Sequence, residues 1–232
     1  MKNIIVIVRT RNSEKEIVRF INSYQWADAI LVADGGSEDN TALLAADMPK
    51  TYVRFFDEKI SRGNIWRNPH GRHINFLIDW AENEFDAGWI IFDDSDCVPN
   101  YYVKENARDY IESSEQAVIC ITRLYIKGTV LYYPKYSQLC NNAWTPSLWA
   151  WKAGLIRAKE DNPLVHEFND FSVLRTNDWM PPACLLHYFY PDEDTMNKKL
   201  EFYDKIGEIP NAKHPDKGYA KGLEYLPEWA HE

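Results

Sequence analysis

An apolar run that stops abruptly at a group of aspartates is the feature that most constrains this chain. Residues 89–92 read Trp-Ile-Ile-Phe, and Asp93, Asp94 and Asp96 follow at once. The run is short, rich in β-favouring side chains and bounded by a glycine and a proline, so it predicts a buried strand. Strands buried on both faces belong to sheets that are covered on both sides, and such sheets are usually parallel.

The aspartates after this strand predict a site for a divalent cation. Ligands of open α/β sheets bind beyond the carboxyl ends of the strands, which is where these carboxylates fall. Carboxylate oxygens suit Mn²⁺ or Mg²⁺, and Mg²⁺ is commonly held by one or two carboxylates together with substrate phosphates. We therefore expect Mn²⁺ or Mg²⁺ as cofactor, with Asp96 as the best direct ligand. The alternative interpretation is a solvated acidic turn.

Composition places the chain among ordinary globular proteins. Its 232 residues are 45% hydrophobic and 26% charged, which is enough apolar material for a substantial core. The net charge of −9 argues against nucleic acid as a partner, because phosphate binding requires a basic surface. The sequence holds no apolar run of about 20 residues, so we predict no transmembrane segment. The four cysteines are widely spaced, and they predict reduced thiols in a cytoplasmic protein.

The first hundred residues alternate between strand and helix patterns. Strands are predicted at 4–8, 29–32, 52–56 and 89–92, and helices at 17–24, 41–46 and 69–85. This alternation predicts a parallel sheet with helical crossovers. The loop after the first strand contains no glycine, which argues against a dinucleotide fingerprint or a phosphate-binding P-loop at that position.

The second half of the chain is less regular. Its patterns predict a helix at 101–114, a hairpin of strands at 117–126 and 129–133, a short strand at 185–190 and a helix around 196–203. Residues 140–177, rich in Trp, Asn and Pro, predict a loop across the site. Trp144, Trp149 and Trp151 in that loop are candidate platforms for stacking a sugar, although they can equally pack the loop itself.

Three segments, taken in order and spacing, resemble the GT-A-fold glycosyltransferases of the family 2 type. They are residues 8–14 after the first strand, the Asp-Gly-Gly-Ser element within residues 32–41, and the Asp-x-Asp motif within residues 91–96. The resemblance implies an α/β fold with a mainly parallel central sheet, flanking helices and a small antiparallel acceptor-side portion. It further implies a single domain over residues 1–232, with the nucleotide-sugar half at 1–97 and the acceptor half and tail at 98–232.

The resemblance implies roles for individual residues. The nucleotide site is expected to comprise Thr10, Arg11, Asn12, Asp34, Arg72, Asn75 and Asp94. Asp34 is the candidate for the base, with turn formation as its alternative role, because Asp-Gly is a turn signal. Arg72 is a candidate for balancing the negative charge of the diphosphate, and its alternative role is that of an exposed charge on a helix. Asp94 is expected at the ribose or at the metal.

Metal binding and catalysis are expected to use residues from both halves. The metal ligands are predicted to be Asp94, Asp96 and His187, with hydrogen bonding inside the protein as the alternative for His187. A general base is needed to take the proton of the acceptor hydroxyl. Glu167 is the first candidate, and Asp170 and Asp178 compete with it.

The function implied is metal-dependent transfer of a sugar from a UDP- or GDP-sugar donor to a glycan or other hydroxyl acceptor, with inversion. Two alternatives remain from the sequence. One is a haloacid-dehalogenase-like phosphatase in which Asp94 is the nucleophile, since Asp94-Ser-Asp-Cys-Val98 fits its motif. The other is a non-catalytic module that binds carbohydrate or a cation with the same aspartates and tryptophans.

Overall fold

The structure is a computed structural model that describes residues 2–56, 69–127, 130–134, 146–159, 176–188 and 219–220. The helices are α1 (Ile17–Ser23), α2 (Thr41–Ala46), α3 (Pro69–Glu84) and α4 (Tyr101–Ser113). The strands are β1 (Asn3–Thr10), β2 (Ala29–Asp34), β3 (Thr51–Phe55), β4 (Ala87–Phe92), β5 (Cys97–Pro99), β6 (Val118–Lys127), β7 (Val130–Pro134), β8 (Pro146–Lys152), β9 (Thr176–Tyr188) and β10 (Tyr219–Ala220).

One mixed sheet carries the fold. Its strand order is β10-β7-β6-β8-β4-β1-β2-β3, and β9 pairs with both β5 and β6. The first four strands, β1 to β4, are parallel: β1 pairs with β2 and β4, and β2 also pairs with β3. Strand β8 is antiparallel to both β4 and β6, so it joins the antiparallel portion to the parallel one. The predicted mainly parallel sheet with helices and a smaller antiparallel part is thus confirmed.

The sheet is covered on both faces by helices. On one face, alternate side chains of β1 such as Ile4 and Val6 pack against α1, α2 and α4. On the other face, Ile5 and Ile7 pack against α3. Period-two alternation therefore assigns every central side chain to one of two cores, which is why β1 and β4 are apolar at nearly every position.

Two bulges adjust the pairing of the central strands. The β1–β4 register skips Gly88, and a Cβ at that position would lie 2.4 Å from the Cβ of Lys2. The β6–β8 register skips Trp149. The extra residue breaks the strict alternation of side chains, so Trp149 and Ala150 lie in the same core and Trp151 lies in the other.

The segment between residues 140 and 177 corrects one prediction. Residues 146–152 form β8 inside the sheet, whereas the sequence predicted a loop crossing the site. Trp149 and Trp151 are fully buried in opposite cores, so they cannot stack on a sugar, and Trp144 lies outside the described residues. The helix predicted around 196–203 also lies outside them.

Within the described ranges, each of the helices α1 to α4 lacks the length or the apolar character needed to cross a bilayer.

Candidate active site

Parallel strands bring the predicted site residues to one edge of the sheet. Thr10 ends β1, Asp34 ends β2, and the two are partners in the register. Asp93 follows directly after β4, whose last residue, Phe92, pairs with Ile7 of β1. Because these strands are parallel neighbours, their carboxyl ends meet at one crevice, which is where α/β sheets bind ligands.

Asp93 is the buried anchor of the acidic loop. Its side chain is 0% exposed, and the Tyr24 hydroxyl donates a hydrogen bond to its Oδ2 at 2.8 Å. The guanidinium of Arg123 donates to Oδ1 at 2.9 Å, and the Asp94 backbone N–H donates to the same oxygen at 3.0 Å. Burial raises the pKa of Asp93 to about 6, against the opposing effects of Arg123 and the Tyr24 hydrogen bond. Because Asp93 is buried, Asp94 and Asp96, which are partly exposed, are the carboxylates of this loop that can meet a ligand.

The anchor extends into the core through Tyr24 and Trp149. Tyr24 is fully buried, and the indole N–H of Trp149 donates to its hydroxyl oxygen at 3.3 Å. Burial and the nearby Asp93 carboxylate raise the pKa of Tyr24 well above its ordinary value. The tyrosine is therefore a neutral donor to Asp93 at physiological pH.

Asp94 lies between two arginines. Its Oδ2 is 3.4 Å from Nη1 of Arg123, and its Oδ1 is 3.8 Å from Nη2 of Arg9. All three side chains are partly exposed toward the crevice. Asp94 therefore presents a carboxylate whose charge is already balanced, which suits contact with a neutral hydroxyl such as that of a ribose.

Asp96 faces His187 on the neighbouring strand. The two side chains approach to 3.2 Å between Oδ2 and Nε2. The pairing of β5 with β9 creates this contact, because Cys97 is opposite His187 and the Tyr188 N–H donates to the Asp96 carbonyl at 2.9 Å. Among the described residues, one group of three potential metal ligands has its ligand atoms within 4.8 Å of one another, namely Asp96, Cys97 and His187.

The surroundings of Asp96 are acidic on the side of α1. Burial raises the pKa of Glu16, and the nearby Asp96 carboxylate raises it further. The Arg19 guanidinium lies 3.8 Å from the centre of the Tyr188 ring, a cation–π contact that ties α1 to the end of β9. Helix α1 thus forms one wall beside the Asp96–His187 pair.

Asp34 organises its own loop. Its Oδ1 accepts hydrogen bonds from the backbone N–H groups of Gly36 and Ser37 at 2.9 and 2.8 Å, and its Oδ2 accepts one from the Ser37 hydroxyl. Gly36 has a φ of +85°, which few side chains tolerate. The turn role that the sequence offered for Asp34 is therefore observed, and contact with a base stays a prediction.

The loops after β1 and β2 are tied to each other. The Asn12 N–H donates to the Ser37 hydroxyl at 2.9 Å, and the Asn12 Oδ1 accepts from the Glu38 N–H at 2.8 Å. The Ser13 N–H donates to the Thr41 hydroxyl at 2.7 Å. Arg11, between these contacts and Thr10, is exposed. The loop predicted to touch the nucleotide is thus held in place before any ligand binds.

Helix α3 places the remaining two predicted nucleotide residues. Arg72 is exposed near the start of the helix. The Asn75 side chain forms two hydrogen bonds with the backbone of Ala158. Its Nδ2 donates to the Ala158 carbonyl at 3.0 Å, and its Oδ1 accepts from the Ala158 N–H at 2.8 Å. This geometry favours a role for Asn75 in holding the segment after β8. His73 was not among the predicted residues. It is buried, and its Nε2 forms a hydrogen bond with the Ala33 carbonyl oxygen at 2.9 Å.

The candidates for the general base divide into two groups. Glu167 and Asp170 lie outside the described residues, so their roles stay predictions. Asp178 is exposed on β9, beside Cys120 of β6 in the register. Along the β6–β9 register Asp178 lies six positions from Tyr188, and among the described residues no contact joins it to Asp94 or Asp96.

Two arginines of the site were not among the predicted residues. Arg9 lies directly before Thr10, within the segment at residues 8–14 that resembles the family. Arg123 lies in the middle of β6, where the run from Val118 to Ile126 has no other charged residue. A single charge inside an apolar strand requires a partner, and that was the available signal.

Comparison with known proteins agrees with this geometry. A family model described as glycosyl transferase family 2 matches residues 5–177. No curated protein sequence matches significantly. Residues 1–349 of TarS from S. aureus, solved in complex with UDP-GlcNAc, have a similar structure, with a TM-score of 0.56, 20% identity, and 94% of this chain and 69% of that chain covered. A longer TarS structure has a TM-score of 0.53 and 19% identity, and the match covers 94% of this chain and 41% of that one, so this chain spans less than half its length.

The family match covers well over half of the chain and includes every acidic residue of the edge. The two alternatives from the sequence, a dehalogenase-like phosphatase and a non-catalytic binding module, are therefore wrong. The chain belongs to glycosyl transferase family 2 and is a glycosyltransferase with the GT-A fold.

Proposed function

We propose that this glycosyltransferase moves a sugar from a UDP- or GDP-sugar to a hydroxyl of a glycan or another acceptor, with a divalent metal and with inversion. The observation that carries the proposal is the approach of Asp96 to His187 at 3.2 Å, beside Asp94, where β4 ends. A cytoplasmic location stays a prediction, and it is supported by the free, buried thiols of Cys97, Cys120 and Cys184.

The residues around Asp96 fit a metal ion. A carboxylate oxygen and an imidazole nitrogen converge from two strands, and both side chains are partly exposed, which leaves room for phosphate oxygens. The imidazole favours Mn²⁺ over Mg²⁺, since Mg²⁺ prefers oxygen ligands alone. Cys97 is the third potential ligand of this group, and burial raises the pKa of its thiol well above its ordinary value. When bound, the metal stabilises the negative charge on the departing diphosphate.

The nucleotide is proposed to lie along the edge from β2 to β4. Thr10 and Asp34 are adjacent across β1 and β2, and the Thr10 hydroxyl is buried with no hydrogen-bond partner in the described part of the chain. A base bound beside the ends of these two strands satisfies that hydroxyl. Arg11 and Asn12 border the same end, and Asp94 meets the ribose. Arg72, exposed on α3, is the proposed partner of the diphosphate, with Asn75 positioning the segment at Ala158.

The acceptor is proposed to react from the side opposite the diphosphate. Glu167, or Asp170 in its place, accepts the proton of the acceptor hydroxyl as the anomeric carbon gains oxocarbenium character. The C–O bond to the acceptor forms while the bond to the diphosphate oxygen breaks, which inverts the anomeric centre. The proton ends on the carboxylate, and the electron pair of the broken bond leaves with the diphosphate.

A donor screen tests this function. The protein is incubated with UDP- and GDP-sugars and Mn²⁺, and release of the nucleoside diphosphate is followed. We expect hydrolysis of at least one donor that stops with EDTA, returns with Mn²⁺ and is lost in Asp96→Ala. Asp109→Ala, at an exposed position of α4, is the matched control and keeps full activity. Metal-independent release, or full activity in Asp96→Ala, contradicts the proposal. Glu167→Gln and Asp170→Asn then identify the base by their loss of transfer to an added acceptor.

A further inference from the structure

Arg123 is placed where a charge is costly unless it is paired. Its neighbours Thr122 and Leu124 are buried, and its own side chain is 17% exposed. Strand β6, which carries it, pairs with β7, β8 and β9 in the sheet. A guanidinium in such surroundings is retained at low cost only when its N–H groups meet acceptors.

The guanidinium of Arg123 bridges two consecutive carboxylates. Nη2 is 2.9 Å from Asp93 Oδ1, and Nη1 is 3.4 Å from Asp94 Oδ2. Asp93 is buried and held by two further hydrogen bonds, from the Tyr24 hydroxyl to Oδ2 and from the Asp94 backbone N–H to Oδ1. The planar fork of an arginine transmits that fixed position to its second partner, which a lysine ammonium does not do.

We propose that Arg123 is a positioning residue of the transferase: through Asp93 it fixes the direction in which Asp94 meets the nucleotide end of the donor. The inference rests on the proposed function, in which Asp94 contacts the donor. Arg123 acts through Asp94 and need not touch the substrate. Arg9, at 3.8 Å from the other oxygen of Asp94, completes the alignment more loosely.

The separation of Asp94 from Asp96 makes the proposal specific. Arg123 contacts Asp93 and Asp94, whereas Asp96 contacts His187. Loss of Arg123 should therefore weaken nucleotide binding and leave metal binding at Asp96 and His187 largely intact. Removing a nearby positive charge does not weaken the attraction for a cation.

Two binding measurements on the full chain test this separation. UDP affinity is measured by calorimetry at saturating Mn²⁺, and Mn²⁺ affinity without nucleotide by electron paramagnetic resonance. For Arg123→Met we expect UDP affinity to fall about tenfold or more, with Mn²⁺ affinity lowered by less than about threefold. The UDP affinity of Arg123→Lys should fall nearly as far as that of Arg123→Met. The control Arg157→Met removes an arginine paired with Asp79 and Glu82 and should change neither affinity.

A double variant separates positioning from simple charge balance. Arg123→Met leaves Asp93 buried without its cation, so folding is checked by thermal denaturation, and Asp93→Asn/Arg123→Met removes both charges together. Continued weak UDP binding in a folded double variant supports positioning. Recovery of UDP binding there overturns it, because Arg123 would then only balance Asp93.

The Asp94→Asn variant distinguishes an error in the proposed donor-binding role of Asp94 from an error in the positioning role of Arg123. If it binds UDP normally, the proposed role of Asp94 in donor binding is wrong. If it binds UDP weakly while Arg123→Met binds normally, the donor role of Asp94 stands and the positioning role of Arg123 is overturned.

Discussion

Replacing Tyr24 by Phe removes a single hydroxyl from the centre of the buried network. That oxygen donates to Asp93 at 2.8 Å and accepts from the Trp149 indole at 3.3 Å, and the tyrosine is 0% exposed. Phenylalanine fills the same ring volume, so no large cavity forms. The change therefore isolates the two hydrogen bonds from the packing of α1 against the sheet.

The cost follows from the two groups left behind. A hydrogen bond to a charged group contributes about 1.5–3 kcal/mol, and a buried N–H left unpaired costs about 1 kcal/mol or more. We expect Tyr24→Phe to lower the free energy of unfolding by about 3 kcal/mol at pH 8. In a domain of this size that corresponds to a fall in Tm of about 6–12 °C.

The cost also depends on pH with a definite sign. The folded pKa of Asp93, about 6, is above the ordinary carboxyl value of 3.8, so the folded state favours the protonated form. The stability that Asp93 contributes is therefore fully present below about pH 4 and is lost as the pH rises through about 6. The Tyr24 hydrogen bond lowers the pKa of Asp93, so its loss enlarges this decrease. Tyr24→Phe should cost about 1.5 kcal/mol at pH 5, about half its cost at pH 8.

Urea denaturation at pH 5 and pH 8, followed by fluorescence, measures both numbers. Tyr52→Phe on β3 is the matched control, because Tyr52 is 48% exposed and its hydroxyl has no buried role. The control should cost less than about 0.5 kcal/mol at either pH. A Tyr24→Phe protein as stable as the control at pH 8, or one that loses more stability at pH 5 than at pH 8, contradicts the network described here.

Two further substitutions test the frame of the site. Gly36→Ala should lower stability by about 1–2 kcal/mol, because φ is +85° and the new Cβ would lie 3.3 Å from the Phe55 ring. Gly154 has a similar φ of +84° with nothing within 4 Å of the new Cβ, so Gly154→Ala measures the cost of the backbone conformation alone. Equal losses of stability in the two variants would mean that the contact with the Phe55 ring costs nothing. Asn75→Ala should cost about 2 kcal/mol in urea denaturation, since it breaks two bonds to the Ala158 backbone; an unchanged midpoint would mean that those bonds contribute nothing.

Local patterns predicted the parallel half of the fold well. The helix expected at 41–46 is observed as α2, and the strand expected at 29–32 is β2, extended by two residues to Asp34. The apolar run before the aspartates is β4. In each of these elements the apolar residues are regularly spaced or continuous, and neighbouring elements in the chain bury them. The type of each element can therefore be predicted from the sequence alone.

The antiparallel half depends on contacts that no local pattern contains. The bulge at Trp149 breaks the alternation in β8, so a central strand resembled a loop rich in tryptophan. The role of Arg123 follows from a pairing across 30 residues between β6 and the end of β4. The sequence indicated Asp94 and Asp96 through their motif, but the arginines that orient Asp94 become visible only when the strands are placed side by side.

Anomalous diffraction at the manganese edge, from crystals grown with Mn²⁺ and UDP, tests the proposed chemistry most directly. We predict one strong peak within coordination distance of both Asp96 and His187, with the diphosphate as a further ligand and the Asp94 carboxylate at the ribose. A manganese peak elsewhere, or UDP bound with no metal beside Asp96, would contradict a metal-dependent transfer at this edge of the sheet.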